Sequence, residues 1–303
     1  MNTATPKTIP EYLDRLRHKL RDADPALLQD ALYDAEEYLR SELAENPGTD
    51  EATLLANIAT SYGAPEEVAA IYRDTEVKVS RALSPPPTAP RRSAAGQFFG
   101  VATDSRAWMA LFYMLLSLAT GIVYFTVVTT GLSLSLGLAV LIIGIPFAIL
   151  FIGIVRLLAL VEGRMVEVML GERMPRRPLY AERGLPLLTR IGRMFTDPRT
   201  WSTMLYMLLM MPLGVVYFTV AVTGLSVSLG LIFGAVAAVL GQLGMLSFHL
   251  HLQPGALADS PLWIPVIFAV GVLGLFVTLH VARLVGKGHG LLAKHLLVKT
   301  AQH

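Results

Sequence analysis

Residues 103–138 read TDSRAWMALFYMLLSLATGIVYFTVVTTGLSLSLGL, and residues 196–231 read TDPRTWSTMLYMLLMMPLGVVYFTVAVTGLSVSLGL. The stretches align at a constant offset of 93 without a gap, and 22 of 36 positions are identical. Self-similarity of this kind marks an internal duplication. Each copy opens on a polar Thr-Asp-x-Arg-x-Trp and then turns apolar. No Asp, Glu, Lys or Arg occurs in 107–155, 200–258 or 260–282. A membrane-spanning helix needs about 20 such residues. The expected fold is all-α: a polytopic membrane protein built on a duplicated two-span unit. Crossings fit at about 106–130, 137–160, 201–223 and 261–285. Residues 225–248 are left over, with Gly230, Gly234, Gly241 and Gly244. They are expected to form an embedded or re-entrant segment, with a fifth crossing as the rival.

Composition agrees. Of 303 residues, 53% are hydrophobic and 16% charged, against about 25% charged in soluble domains. The absence of Cys excludes disulfides, thiolate metal sites and a cysteine nucleophile. The net charge of +2 hides a split. Residues 1–84 hold 9 Lys and Arg against 16 Asp and Glu, net −7, and the remainder is net +9. The start has no apolar core of signal-peptide length.

The acidic head reads as four helices. Ile9, Leu13, Leu16 and Leu20 share one helical face, with Thr8 as N-cap. Asp24-Pro25 opens a second helix and Asn46-Pro47-Gly48 stops it. A third starts at Thr49 or Asp50 and ends at Gly63, and Pro65 opens a fourth. An acidic surface disfavours direct binding of nucleic acid, whose phosphates call for Lys and Arg. The divisions expected are 1–84 as a cytosolic docking domain and 85–97 as a proline-rich linker. Residues 98–195 form the first membrane repeat with its basic loop, and 196–303 the second repeat with its basic tail.

Two resemblances follow. YLDRLRHKL, an acidic helix and then Tyr62-Gly63-Ala64-Pro65-Glu66-Glu67-Val68-Ala69 resemble the HAAS, or DUF1700, helical domain of bacterial signalling proteins. Tyr62 stands where that family usually has Leu. The resemblance implies Tyr62, Gly63, Pro65, Glu66 and Glu67 as partner-docking residues. It also implies a cytosolic regulator as partner, of the PadR or two-component kind. Asp197-Pro198-Arg199-Thr200-Trp201, Leu213-Gly214-Val215-Val216-Tyr217-Phe218-Thr219 and the repeated Thr-Gly-Leu-Ser-x-Ser-Leu-Gly resemble the sensor domain of bacterial sensor histidine kinases. That likeness spans about 98–298. In those kinases a dimerisation helix and an ATP-binding domain follow. This sequence stops at His303, so the expectation is a sensor without its own kinase core.

Candidate sites are few. Arg106, Trp108, Arg199 and Trp201 open the two copies and read as lipid-interface residues. Arg190 and Arg193 flank an apolar arc in 187–195 that reads as an interfacial helix. Basic loops stay cytoplasmic, which puts both termini inside and the chain in the bacterial cytoplasmic membrane. Tyr124, Thr126 and Thr130 match Tyr217, Thr219 and Thr223 across the repeat. They could line a ligand pocket or serve as interhelical glue. His280, within the last span, is a further ligand candidate. His249 and His251 flank Leu250 and are a weak metal candidate. No span carries paired carboxylates, and nucleophile elbows and phosphate loops are absent from the sequence, so no enzyme and no cofactor are expected. The reading is a sensor or regulatory adaptor coupling a lipid, apolar ligand or membrane state to a cytosolic partner. Membrane lipids and a possible second copy are further partners. A small transporter or lipid-handling protein is the alternative.

Overall fold

The computed structural model describes residues 6–83, 93–139, 141, 143–175, 192, 195–243 and 263–298. The described residues form helices and turns, with no strand among them. Helices α1 (Ile9–Lys19), α2 (Pro25–Glu45), α3 (Glu51–Ser61) and α4 (Pro65–Leu83) make up the head. A short α5 (Ala94–Phe99) and a 3-10 turn (Gly100–Thr103) lead into α6 (Ser105–Gly137). Then come α7 (Gly144–Met165), prolonged by a π-helical turn (Val166–Leu170), α8 (Pro198–Gln242) and α9 (Trp263–Leu297). Four helices are long and apolar enough to cross a membrane: α6, α7 with its extension, α8 and α9.

The head is built as its sequence dictates. The Thr8 hydroxyl accepts from the Glu11 N–H and the Asp24 carboxylate from the Ala26 N–H, so both caps form. Tyr12, Leu16, Leu20, Leu27, Leu39 and Leu55 are sealed in one core.

The stretch 225–248 departs from its expected form. Residues 225–242 continue α8 as unbroken helix instead of folding back. At about 1.5 Å per residue, 45 residues span roughly 68 Å, about twice a hydrocarbon core. The physical reason sits 93 residues earlier. The chain turns after Gly137, and a Cβ on Gly144 would lie 2.1 Å from the Leu138 carbonyl oxygen. At the same offset, beyond the matched stretch, the second copy has Ala237. Its methyl group cannot occupy that turn, and the surrounding Ala235-Val236-Ala237-Ala238-Val239-Leu240 favours helix. Gly230, Gly234 and Gly241 sit inside α8 with open space at the Cβ position. Gly244 lies outside the described residues.

The chain divides into two compact units. One comprises Met1–Pro85, Val127–Tyr206 and Gly290–His303; the other comprises Pro86–Thr126 and Met207–His289. In the second unit α6 crosses α8 backbone to backbone. A Cβ on Gly121 would lie 2.5 Å from the Met210 carbonyl oxygen, and one on Gly214 would lie 2.3 Å from that of Ser117. The two glycines are 93 residues apart, as are Ser117 and Met210, so each copy offers its glycine to the same position of the other. Small residues that let backbones touch are how helices associate in lipid.

Candidate functional site

The first unit contains a cavity of about 90 Å³ where α7, α8 and the end of α9 meet. Arg156, Asp197, Arg199, Thr200 and Thr203 supply its polar wall; Leu160, Met174 and Leu297 are among its apolar lining. Asp197 caps α8, its Oδ1 accepting from the Arg199 N–H at 3.0 Å. Its Oδ2 takes Arg156 Nη2 at 3.4 Å, and the same nitrogen lies 3.4 Å from Thr200 Oγ1. Arg156 therefore pairs across helices. Thr200 and Thr203 are buried. Arg199 Nη1 is buried with no hydrogen-bond partner among the described residues. Beneath the cavity wall, Tyr206 donates to buried Glu162 at 2.8 Å.

The chain segments that line this cavity also hold the head. Glu172 and Arg173 immediately precede the cavity residues Met174 and Pro175. Arg173 is nearly buried and grips Glu76 of α4 at 2.6 Å and Asp30 of α2 at 3.6 Å. One turn before Leu297, Lys294 pairs with Asp24 and, at 3.7 Å, with Glu172. A Cβ on Gly290 would meet the Glu172 side chain at 2.6 Å, so α9 packs tightly against that segment.

The second unit holds a separate buried cluster. The Tyr113 hydroxyl lies 2.6 Å from His289 Nε2, and the Tyr217 hydroxyl lies 3.4 Å from His289 Nδ1. His280 Nε2 is 3.0 Å from the Phe98 carbonyl oxygen and its ring stacks on Phe98. Arg283 pairs with Asp104 at 3.4 Å, as Arg156 does with Asp197.

The sequence-selected residues fall as follows. Tyr124 is buried and Tyr217 half-buried beside His289, whereas Thr126, Thr130, Thr219 and Thr223 are exposed. His280 is held by Phe98. Trp108 and Trp201 are 44% and 53% exposed. Their indoles donate to the Ala102 and Phe195 carbonyls, each at 2.8 Å. Arg106 is half-buried, its N–H bonded to Asp104. Arg199 turns into the cavity. Arg190, Arg193, His249 and His251 lie outside the described residues.

In the head, Pro65 is buried and Tyr62 stacks on Tyr38 with centroids 4.4 Å apart. The Tyr12 hydroxyl donates to the Gly63 carbonyl at 2.8 Å, and Glu67 accepts from the Ala64 N–H at 3.2 Å. Glu66 pairs with Lys19 at 3.6 Å. Each of these five residues thus has a role inside the head. Sequence reading missed Glu162, Arg173, His289 and Lys294. The signal for the cavity was present: Thr200 and Thr203 stand where the first copy has Ala107 and Ala110.

No match was found among curated proteins or among solved structures. A family model described as "Putative sensor" matches residues 113–297, from the first apolar helix to the last turn of α9. That match covers more than half of the chain, which therefore belongs to this sensor family.

Proposed function

We propose that the protein is a sensor of the bacterial cytoplasmic membrane whose helical body biases the position of its head, and that the head passes the state to a cytosolic regulator. Membership of the sensor family supports the sensing role. The observation that carries the coupling is the shared wiring of cavity and head. Within 172–175, Arg173 grips the head and Glu172 braces Lys294, while Met174 and Pro175 line the cavity. Residues 294–297 do the same with Lys294 and Leu297. A change at the cavity that displaces either segment reaches the head within one helical turn. A ligand acts on such a device only through different affinity for its two states. On this reading the basic ends of the spans, the head and both termini face the cytoplasm.

The test compares the full chain with a version lacking residues 1–84, both purified in mild detergent. A cytosolic regulator of the PadR or two-component class should co-purify with the full chain and be lost with the head. The same set of proteins on both versions contradicts the adaptor role.

A further inference from the structure

We infer that the Arg199 cavity is a binding site for a singly charged phosphodiester, the headgroup chemistry of an anionic phospholipid. Among the described residues, two guanidinium groups and one carboxylate line the cavity, a net positive charge of one. Asp197 does not compete for an incoming anion's donors: its Oδ1 serves the helix cap and its Oδ2 holds Arg156. Arg199 is different. Its Nη1 is shut away from solvent and bonds to nothing among the described residues. A buried guanidinium N–H without an acceptor is costly, and a phosphate oxygen is the acceptor whose geometry suits Arg best.

The hydroxyls make the same point. Thr200 and Thr203 are buried on the cavity wall where the first copy has Ala107 and Ala110, also buried. Packing at these positions is met by a methyl group in one copy. Thr adds a hydroxyl there, and that of Thr200 already lies 3.4 Å from Arg156 Nη2. The lining also includes apolar Leu160, Met174 and Leu297. Just beyond it on α7, Leu157 and Val161 are exposed and apolar, a track for an acyl chain. A cavity of about 90 Å³ has room for several waters, or for a phosphate with its first attached carbons.

The site rests on the sensing reading only for its consequence, not for the binding itself. Native mass spectrometry of the full chain in detergent tests it with three probes: phosphatidylglycerol, diacylglycerol and inorganic phosphate. Phosphatidylglycerol should be retained over diacylglycerol. Arg199→Gln should weaken that retention about tenfold, the scale of one charge-assisted hydrogen bond. Thr203→Val, nearly isosteric, should weaken it severalfold. Arg106→Gln, at the matching position of the first copy, should leave it within twofold. Inorganic phosphate that displaces the lipid assigns the site to a free anion; phosphate without effect assigns it to the lipid. Equal losses in Arg199→Gln and Arg106→Gln mean general interface charge and overturn the site. So does diacylglycerol held as tightly as phosphatidylglycerol. A lipid bound through Arg199 with the head unmoved leaves the site standing and sinks the coupling. A head that moves with no lipid bound does the reverse.

Discussion

Gly63 carries a φ of +112°, a left-handed conformation that costs an L side chain about 1–2 kcal/mol. It ends α3 and lets Pro65 begin α4, with Glu67 closing the cap. Gly63→Ala should therefore destabilise the head by about 1–2 kcal/mol, read from the thermal unfolding of residues 1–84 within the full chain. The same corner explains an alkaline limit. Burial, then the charge of Asp34 and the neighbouring Tyr38, push the Tyr62 hydroxyl up to about 12 from 10. Burial chiefly raises Tyr12 and Tyr72 as well. A raised folded-state value means full stabilisation below pH 10, lost as pH climbs through the folded value. The head should lose stability from about pH 10 upward, and Tyr62→Phe should blunt that loss. Tyrosinate absorbance followed alongside helicity would show it. An alkaline transition unchanged by the substitution sinks this assignment.

Among the elements, the caps, the breaks and the four apolar helices were legible in the sequence, because each depends on local chemistry. Thr8, Asp24 and Pro65 sit where their side chains or rings satisfy a helix start. The duplication also pointed to the glycines of the α6–α8 crossing, although the contact itself needs both helices. Gly214→Ala should cost about 1–3 kcal/mol, since its Cβ would meet a carbonyl oxygen at 2.3 Å that cannot give way. Gly234→Ala, with open space around its Cβ, should be neutral or slightly stabilising. Equal effects from the two substitutions, in thermal unfolding of the full chain, would contradict the crossing. The continuation of α8 was harder to read. Four glycines in an apolar run look like broken helix when taken alone. With Ala237 at the offset of Gly144, a turn of the first copy's form is sterically closed to the second. The ion pairs were illegible for another reason. Arg173 meets residues some 100 and 140 positions away, and no periodicity in the chain encodes that approach.

At the scale of the whole molecule, charge imbalance between head and body becomes contact. The head's surplus of Asp and Glu meets Arg173 and Lys294, one on the segment after α7 and one on the last turns of α9. Removing one partner of a buried pair strands the others, at about 3 kcal/mol. Arg173→Ala should therefore loosen the head, seen as faster hydrogen exchange in α2 and α4 with the spans unchanged. The central claim is that the cavity controls this grip, and the absence of Cys allows a clean distance measurement. Spin labels on Asn46→Cys in the head and Val168→Cys beside the cavity segment, both exposed positions, report it. Pulsed dipolar spectroscopy would be recorded on the full chain in nanodiscs, with and without phosphatidylglycerol. The account predicts a distance distribution that shifts or narrows with the anionic lipid, and a shift that disappears in Arg199→Gln. One distribution common to both conditions, or a shift that survives Arg199→Gln, would contradict it.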